Sequence, residues 1–282
     1  MERPAAFAPG HVAVITGAAD GIGLAAAKHY AALGMHVLLA DIHADKLAIA
    51  TQAVTAAGAD HGVRIVTQVL DVAKYDEVVA LKETAFSTFG HVDVLMNNAG
   101  ISLASGSWEN LDHWQHLLDV NLWGVVHGVH AFTAAMIAQH RPAVIINTGS
   151  KQGITNPPGN PAYNVSKAAV KATTEALQHS LRNTPECQVS AHLLVPGYTF
   201  TGLTKQRVQE KPDGAWWPEQ VVDYMMAAIS RGSFYIICPD NEVTSAEDAR
   251  RMLWAAGDMA YDRSALSRWD PDYQSAFREI KA

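Results

Sequence analysis

VAVITGAADGIG, residues 12–23, runs from apolar, β-branched residues through a glycine-rich turn into the alanine-rich stretch LAAAKHYAA at 24–32. A short continuous apolar run bounded by turn residues reads as a buried strand, and the alanine-rich run after it reads as a helix. Gly17, Gly21 and Gly23 occupy the turn between them. Glycines there let the backbone approach a pyrophosphate at a helix N-terminus, where amide N–H groups point outward. The spacing is G-x3-G-x-G rather than the more general G-x-G-x-x-G, and a tight turn would use the same residues. The rest of the chain must therefore decide.

Further strand-like runs lie at 36–41, 64–71, 92–99, 143–149, 188–196 and 234–238. Helical patterns fill the gaps near 22–33, 44–57, 74–89, 110–139, 162–183 and 218–231. Strands alternating with helices at this spacing mean βαβ units, and right-handed crossovers build them into an α/β fold with a seven-stranded, doubly wound parallel sheet. Asp41 ends the second strand, eighteen residues after Gly23, where a carboxylate can accept from a ribose hydroxyl. A 2′-phosphate beside Asp41 would meet like charge, and Asp20 within the loop adds another. The expected cofactor is NAD, with NADP disfavoured.

The 282 residues are 49% hydrophobic and 17% charged, enough to bury one large α/β core, and no linker divides them. A net charge of −7 argues against nucleic-acid binding, which needs clustered cations, and leaves a small molecule as the expected partner. Cys187 and Cys238 are too few for a disulfide framework and lack zinc or redox spacing, which fits a cytoplasmic setting. The N-terminal MERPAAFAPGH has no apolar signal-like run, and no stretch offers the roughly 18 uninterrupted apolar residues of a bilayer span.

Ser150, Tyr163 and Lys167 form a Ser-x12-Tyr-x3-Lys array. Tyr163 and Lys167 fall within PAYNVSKAAVKATTEAL, 161–177, and four residues of helix separate them by about 6 Å along one face. A free tyrosine titrates near 10, so acid–base work at neutral pH needs a shift of roughly 3 units, about 4 kcal/mol. One ammonium at about 5 Å supplies roughly 3 kcal/mol at an effective dielectric near 20. The ring of an oxidised nicotinamide would add to it. Ser150 follows the apolar run AVIINTG at 143–149, and prolines and glycines at 157–161 separate it from the Tyr163 helix. Its hydroxyl is expected at the carboxyl end of a parallel strand, where open α/β sheets bind ligands.

With these motifs in order, the chain resembles the short-chain dehydrogenase/reductase family in its single-domain T-G-x3-G-x-G, Y-x3-K form, over roughly residues 10–240. The resemblance implies a Rossmann-like sheet of strand order 3-2-1-4-5-6-7 with helices on both faces. One NAD(P)-binding domain is expected across 1–282, with a substrate loop at 202–217 and, where the chain departs from the family, a C-terminal extension at 243–282. Thr16, Gly17, Asp20, Gly21, Ile22 and Gly23 would hold the pyrophosphate, Asp41 and Ile42 the ribose end, and Asp71 and Val72 the adenine. Asn98, Ala99 and Gly100 would shape the central strand end, and Pro196, Gly197, Thr199 and Thr201 the nicotinamide side, with Thr201 on the carboxamide. Asn121, in LLDVNLWGVV, matches the family's helix-breaking asparagine, implied to hold a water leading from Lys167 to solvent. Ser150, Tyr163, Lys167 and Asn121 are the implied catalytic set, with Tyr163 and Lys167 also touching the cofactor. The implied reaction interconverts a secondary alcohol and a ketone. A homodimer or homotetramer paired through the helices near 110–139 and 162–183 is implied as well.

For the substrate, Ser150, Lys151, Gln152, Tyr198, Trp216 and Trp217 are the candidates, the aromatic ones suiting an apolar or ring-bearing molecule. The pairs His113/His116 and His127/His130 sit at i, i+3 without an accompanying carboxylate motif, so no metal is expected. FYIICPDNEV, 234–243, lacks the family's usual glycine pair after the last strand, and some forty residues follow with helical patches at 246–259 and 271–281. This extension either closes the pocket or embraces a neighbouring subunit. Two other functions use the same scaffold. A silent NAD-binding protein would have lost Tyr163 or Lys167, and neither is lost; an NADP-dependent ketoacyl-type reductase is disfavoured by Asp41 and the acidic balance.

Overall fold

A computed structural model describes residues 4–205 and 208–280; Gln206 and Arg207 of the expected substrate loop, and Lys281 of the last helical patch, lie outside the described residues. Seven parallel strands, β1 (Val12–Thr16), β2 (His36–Asp41), β3 (Ile65–Val69), β4 (Val94–Asn97), β5 (Ala143–Thr148), β6 (Val189–Val195) and β7 (Tyr235–Ile237), form one sheet. Their order is β3-β2-β1-β4-β5-β6-β7. This is the Rossmann-like arrangement the sequence led us to expect. The crevice at the carboxyl ends opens where the order reverses, between β1 and β4.

Strand side chains alternate between two apolar layers. Ala13 and Ile15 of β1, Val94 and Met96 of β4, and Val144 and Ile146 of β5 face one layer. Val14, Leu95 and Ile145 face the other. Burial on both faces explains why these strands read as unbroken apolar runs. The first layer is closed by α1 (Gly21–Ala32), α2 (Ala44–Ala57) and α9 (Pro218–Ser230). The second is closed by α3 (Tyr75–Phe89), α5 (Gly124–Ala138) and the far end of α7 (Pro161–Arg182).

The helix expected over 110–139 is interrupted. It comprises α4 (Leu111–Leu118), one π-helical turn (Asp119–Trp123) and α5. On length and composition Leu111–Ala138 could cross a bilayer, but Val125, Phe132 and Met136 are buried against the protein. Two short helices flank the crevice, α6 (Gln152–Thr155) and α8 (Gly202–Lys205), the latter inside the expected substrate loop. The extension folds into α10 (Ser245–Ala260) and α11 (Gln274–Glu279). Its apolar centre is Trp254, whose indole N–H donates to Ser267 Oγ at 2.8 Å while Arg263 stacks 3.8 Å over its ring. Of the body's helices, α10 packs on α6.

Candidate active site

One cleft of about 920 Å³ runs across the carboxyl edge of the sheet, near the upper end of the range for small-molecule sites. Its floor is the turn after β1. Gly17 has φ +64, and a Cβ on it would fall 2.7 Å from Ala99 Cα; a Cβ on Gly23 would fall 2.2 Å from Gly17 O. These glycines are required because the loop packs on its own backbone, in addition to any close approach by a ligand. Thr16 Oγ1 accepts from the amides of Asn98 and Ala99 at 3.0 and 3.2 Å. Asn98 Nδ2 returns bonds to the carbonyls of Thr16 and Gly17. The end of β4 is thereby pinned to the loop.

At one extremity Asp41 Oδ2 accepts from Ala19 N at 3.1 Å and Oδ1 from His43 N at 3.0 Å. Ile42, His43, Lys46, Asp71 and Val72 complete that end. Asp71 is held by the loop around it: its amide donates to Glu77 Oε2 at 2.7 Å and its Oδ1 accepts from Ala73 N. Asp20 lines the cleft, as expected, and also caps a helix. Its Oδ1 caps α1 by accepting from Gly21 N at 2.6 Å, and its Oδ2 lies against Gly202, where a Cβ would be 2.2 Å away. The charge argument about the ribose end therefore rests on Asp41.

The opposite end holds Ser150, Tyr163 and Lys167, all in the lining of the same cleft. Ser150 stands just past β5, and its Oγ accepts from Gln152 N at 3.2 Å. Pro161 starts α7, pre-set for a first helical turn. Two residues later Tyr163 lies on the same stretch as Lys167, whose Nζ is 5.9 Å from the tyrosine ring centre. Lys167 is 5% exposed and donates to Thr148 O at 2.8 Å. Burial pulls its pKa down from 10.5 to about 8, so at neutral pH it is still an ammonium. Gly153 of α6 lies on the α7 backbone, where a Cβ would be 2.4 Å from Lys167 C.

Asn121 is fully buried in the π-helical turn. Its Oδ1 accepts from Ile101 N at 2.8 Å, and its Nδ2 donates to Ile101 O and Ser166 Oγ at 3.0 and 3.2 Å. The side chain thus ties the segment after β4 to α7. Its Oδ1 and Lys167 Nζ flank Gly100, 3.3 and 3.6 Å from where a Cβ there would stand.

Several substrate candidates are placed differently from expectation. Tyr198 and Gln152 line the cleft, but Trp216 and Trp217 are not in its lining. Trp216 packs on the first core layer and stacks with Tyr224, with a ring separation of 6.0 Å. Its backbone bonds Tyr198 O and Phe200 N, so it braces the nicotinamide-side segment from behind. Trp217 is half-exposed at the start of α9, edge-on to Phe200. Lys151 is in the lining, yet its ammonium is paired with Asp248 at 2.7 Å and Asp240 at 3.3 Å. Thr201 packs over Gly21, while its amide donates to Thr204 Oγ1.

The walls near Tyr163 come from residues the sequence did not single out. Ile101, Ala104, Val120, Pro158, Asn160 and Leu203 line the same cleft. Ser105 Oγ donates to Asn160 Oδ1 at 2.7 Å and accepts from Ala162 N. His116, noted only as half of a possible metal pair, also lines the cleft. His113 and His127 spend their Nδ1 atoms on the carbonyls of Ala104 and Val72.

The short chain dehydrogenase profile matches residues 11–212. The chain is 32% identical over 248 residues to the 1-deoxy-11-beta-hydroxypentalenate dehydrogenase of Streptomyces avermitilis, covering 86% of this chain and 89% of that one. It is 32% identical to the 3beta-hydroxysteroid dehydrogenase 2 of Eggerthella lenta over 69% of this chain and 73% of the relative. Among solved structures, a short chain dehydrogenase/reductase from Burkholderia phymatum in complex with NAD superposes with a TM-score of 0.81 at 32% identity, covering 91% and 96% of the two chains. An alcohol dehydrogenase from Thermococcus sibiricus complexed with 5-hydroxy-NADP gives 0.69 at 26% identity, covering 78% and 90%. This chain belongs to the short-chain dehydrogenase/reductase family of NAD(P)-dependent oxidoreductases, which act on small alcohols and ketones.

Proposed function

We propose that this protein is an NAD-preferring dehydrogenase and reductase of an uncharged, apolar or ring-bearing secondary alcohol and its ketone. The observation that carries the reading is the meeting of Ser150, Tyr163 and the buried ammonium of Lys167 at one end of a cleft whose other end is the glycine loop and Asp41. A nicotinamide ring bound there supplies the hydride acceptor or donor. Tyr163 takes the hydroxyl proton in oxidation and returns it in reduction. Ser150 Oγ hydrogen-bonds the substrate oxygen and sets its direction. Lys167 favours the tyrosinate through its charge, and its place beside Gly100 and Asn121 supports a proton route toward Asn121. Asn121 commits both Nδ2 hydrogens and one Oδ1 lone pair to Ile101 and Ser166, which fixes the amide and leaves its second lone pair to accept from a water on that route.

Substrate class follows from the walls. Ile101, Ala104, Val120, Pro158 and Leu203 offer carbon surface. Lys151, the cation beside Ser150, is neutralised by two carboxylates and is a poor anchor for an anionic substrate. The residues 1–282 serve as a single nucleotide-binding unit in this reading, the glycine loop, Asp41, Asp71, Asn98 to Gly100 and the 196–201 segment holding the dinucleotide. The test is a panel of secondary alcohols, from linear to polycyclic, assayed with NAD and NADP by absorbance of the reduced cofactor. Turnover should be highest on uncharged cyclic alcohols, and kcat/KM should favour NAD by about tenfold or more, because a 2′-phosphate would lie against Asp41. A ratio near one would show that Lys46 and His43 accept the phosphate, and failure across the whole panel would reject the reaction.

Self-association is part of the same reading. Only 33% of the apolar window in Leu111–Ala138 is buried within one protomer, and Trp123 and Val165 are exposed on this helix and on α7. Pairing through these helices would cover them. Sedimentation equilibrium should give a dimer or tetramer mass, and a monomer at micromolar concentration would reject the pairing.

A further inference from the structure

The mechanism above does not use the buried charged cluster around Lys151. Lys151 directly follows Ser150 and is paired with Asp240, after β7, and with Asp248, on α10. The three side chains are 17%, 5% and 7% exposed. Such a triad is weak evidence for stability, because desolvating three charges offsets much of their attraction. Its geometry shows what else it does. Asp240 Oδ2, which accepts from Lys151, also accepts from Tyr198 N at 3.0 Å. Its Oδ1 accepts from Val243 N and Glu242 N. One carboxylate therefore grips the turn after Ser150, the 196–201 segment and the root of the extension.

We propose that Lys151 and Asp248 are positioning residues, an ionic joint through which helix α10 of the C-terminal extension holds the catalytic serine turn in register with Tyr198 and Lys167. The route is continuous. Helix α10 packs on α6. The amides of Gly153, Ile154 and Thr155 bond back to the carbonyls of Ser150 and Lys151. Gly153 rests on the α7 backbone at Lys167 and Ala168. Burial pushes the Asp248 carboxyl up while Lys151 opposes it. Asp240 is held below the usual carboxylate range, since its bonds from Tyr198 N, Lys151 and the following amides outweigh its own burial. The lysine thus offsets part of the burial cost of Asp248 and adds to the bonds that hold Asp240 ionised. A catalytic hydroxyl must be held to about 0.5 Å, and an error of about 1 Å can cost on the order of 10²-fold in rate. A joint across three chain segments supplies that precision where the loop at 156–160 has no regular structure of its own.

The joint rests on Ser150 orienting the substrate oxygen, so its test has one arm that needs turnover and one that does not. Asp248→Asn is the primary variant because it leaves the Lys151–Asp240 pair intact and neutral. On the best alcohol of the panel, kcat should fall about tenfold, the NAD dissociation constant should stay within about twofold, and Asp248→Glu should recover most of the loss. In the full-length apo protein, hydrogen exchange at the amides of Gly153, Ile154, Thr155 and Tyr198 should accelerate in Asp248→Asn and return toward wild type in Asp248→Glu. Unchanged kcat overturns the proposal, as does a parallel tenfold loss of NAD affinity, which would mean general distortion. If wild type turns over no alcohol, the proposed reaction fails by itself, and the exchange rates alone decide the joint: unchanged exchange overturns it.

Discussion

Tyr163→Phe should lower kcat by about 10³-fold while leaving the NAD dissociation constant within about twofold. The substitution removes one oxygen and keeps the ring, so the packing of α7 and the cofactor's contacts along the glycine loop and Asp41 survive. What is lost is the hydroxyl of a tyrosine that lines the same cleft as Ser150 and whose ring centre lies 5.9 Å from the buried Lys167 ammonium. Proton transfer by a positioned group contributes about 10²–10⁴-fold, and in the proposed mechanism the same hydroxyl also contacts the substrate oxygen. Steady-state rates with the best alcohol and fluorescence titration with reduced cofactor check the two halves. Retention of more than about 5% of the wild-type rate would remove Tyr163 from the role of acid and base.

Lys167→Met should have two opposed effects. Turnover should fall by about 10²-fold or more, since the charge that favours the tyrosinate is gone. The apo protein, however, should become more stable near neutral pH. Burial lowers the lysine from 10.5 to about 8, and a displacement of that size corresponds to about 3 kcal/mol of cost for folding with the ammonium buried. Losing the bond to Thr148 O returns about 1 kcal/mol of that. The sign with pH is fixed by linkage. Below about 8 the lysine is protonated in both folded and unfolded chains and the cost is fully present. Between about 8 and 10.5 the unfolded chain holds the proton and the native one does not, so wild-type stability rises relative to the variant and the gap closes. Urea unfolding of both proteins at pH 7 and pH 10 measures it, and a gap independent of pH would show that the ammonium is not desolvated. A protein that tolerates this cost in order to keep a charge beside a tyrosine is storing instability at its site, a common exchange of stability for activity.

How much could be read in advance differs by the range of the interaction involved. The central strands were legible because burial on both faces demands apolar runs, and the edge strands β3 and β7 because they fall in the same alternation with helices; the ends shifted by only a residue or two, as at β3, which stops at Val69 before the turn held by Asp71 and Glu77. The Ser150, Tyr163 and Lys167 set was legible because two of its members share one helix face and the third follows a strand whose end is the crevice. The interruption at Asp119–Trp123 was visible only through resemblance to relatives, since LLDVNLWGVV carries ordinary helical residues; the π-helical turn is held by the amide of Asn121 bonding across to Ile101 and Ser166. Trp216 and Trp217 were misplaced because aromatic residues near a binding loop serve equally well as its brace, and nothing local separates the two uses.

The glycines show the same division at a single motif. Their spacing and their place between strand and helix announced a dinucleotide turn, but part of the reason for glycine lies in segments the motif does not contain: a Cβ on Gly17 would fall 2.7 Å from Ala99 Cα, and one on Gly23 2.7 Å from Asn98 Nδ2 as well as 2.2 Å from Gly17 O within the loop. Likewise Lys151 looked like a substrate contact because it follows Ser150, and became a joint once Asp240 and Asp248 were brought to it from 89 and 97 positions away along the chain. Periodicity, turn chemistry and short spacings are properties of neighbouring residues, so the chain by itself determined the architecture, the cofactor class and the candidates for the reacting groups. Partners contributed by distant segments exist only after the sheet has closed, and the tertiary structure alone decided which residues line the cleft, which charges are paired, and how the extension reaches the turn after Ser150.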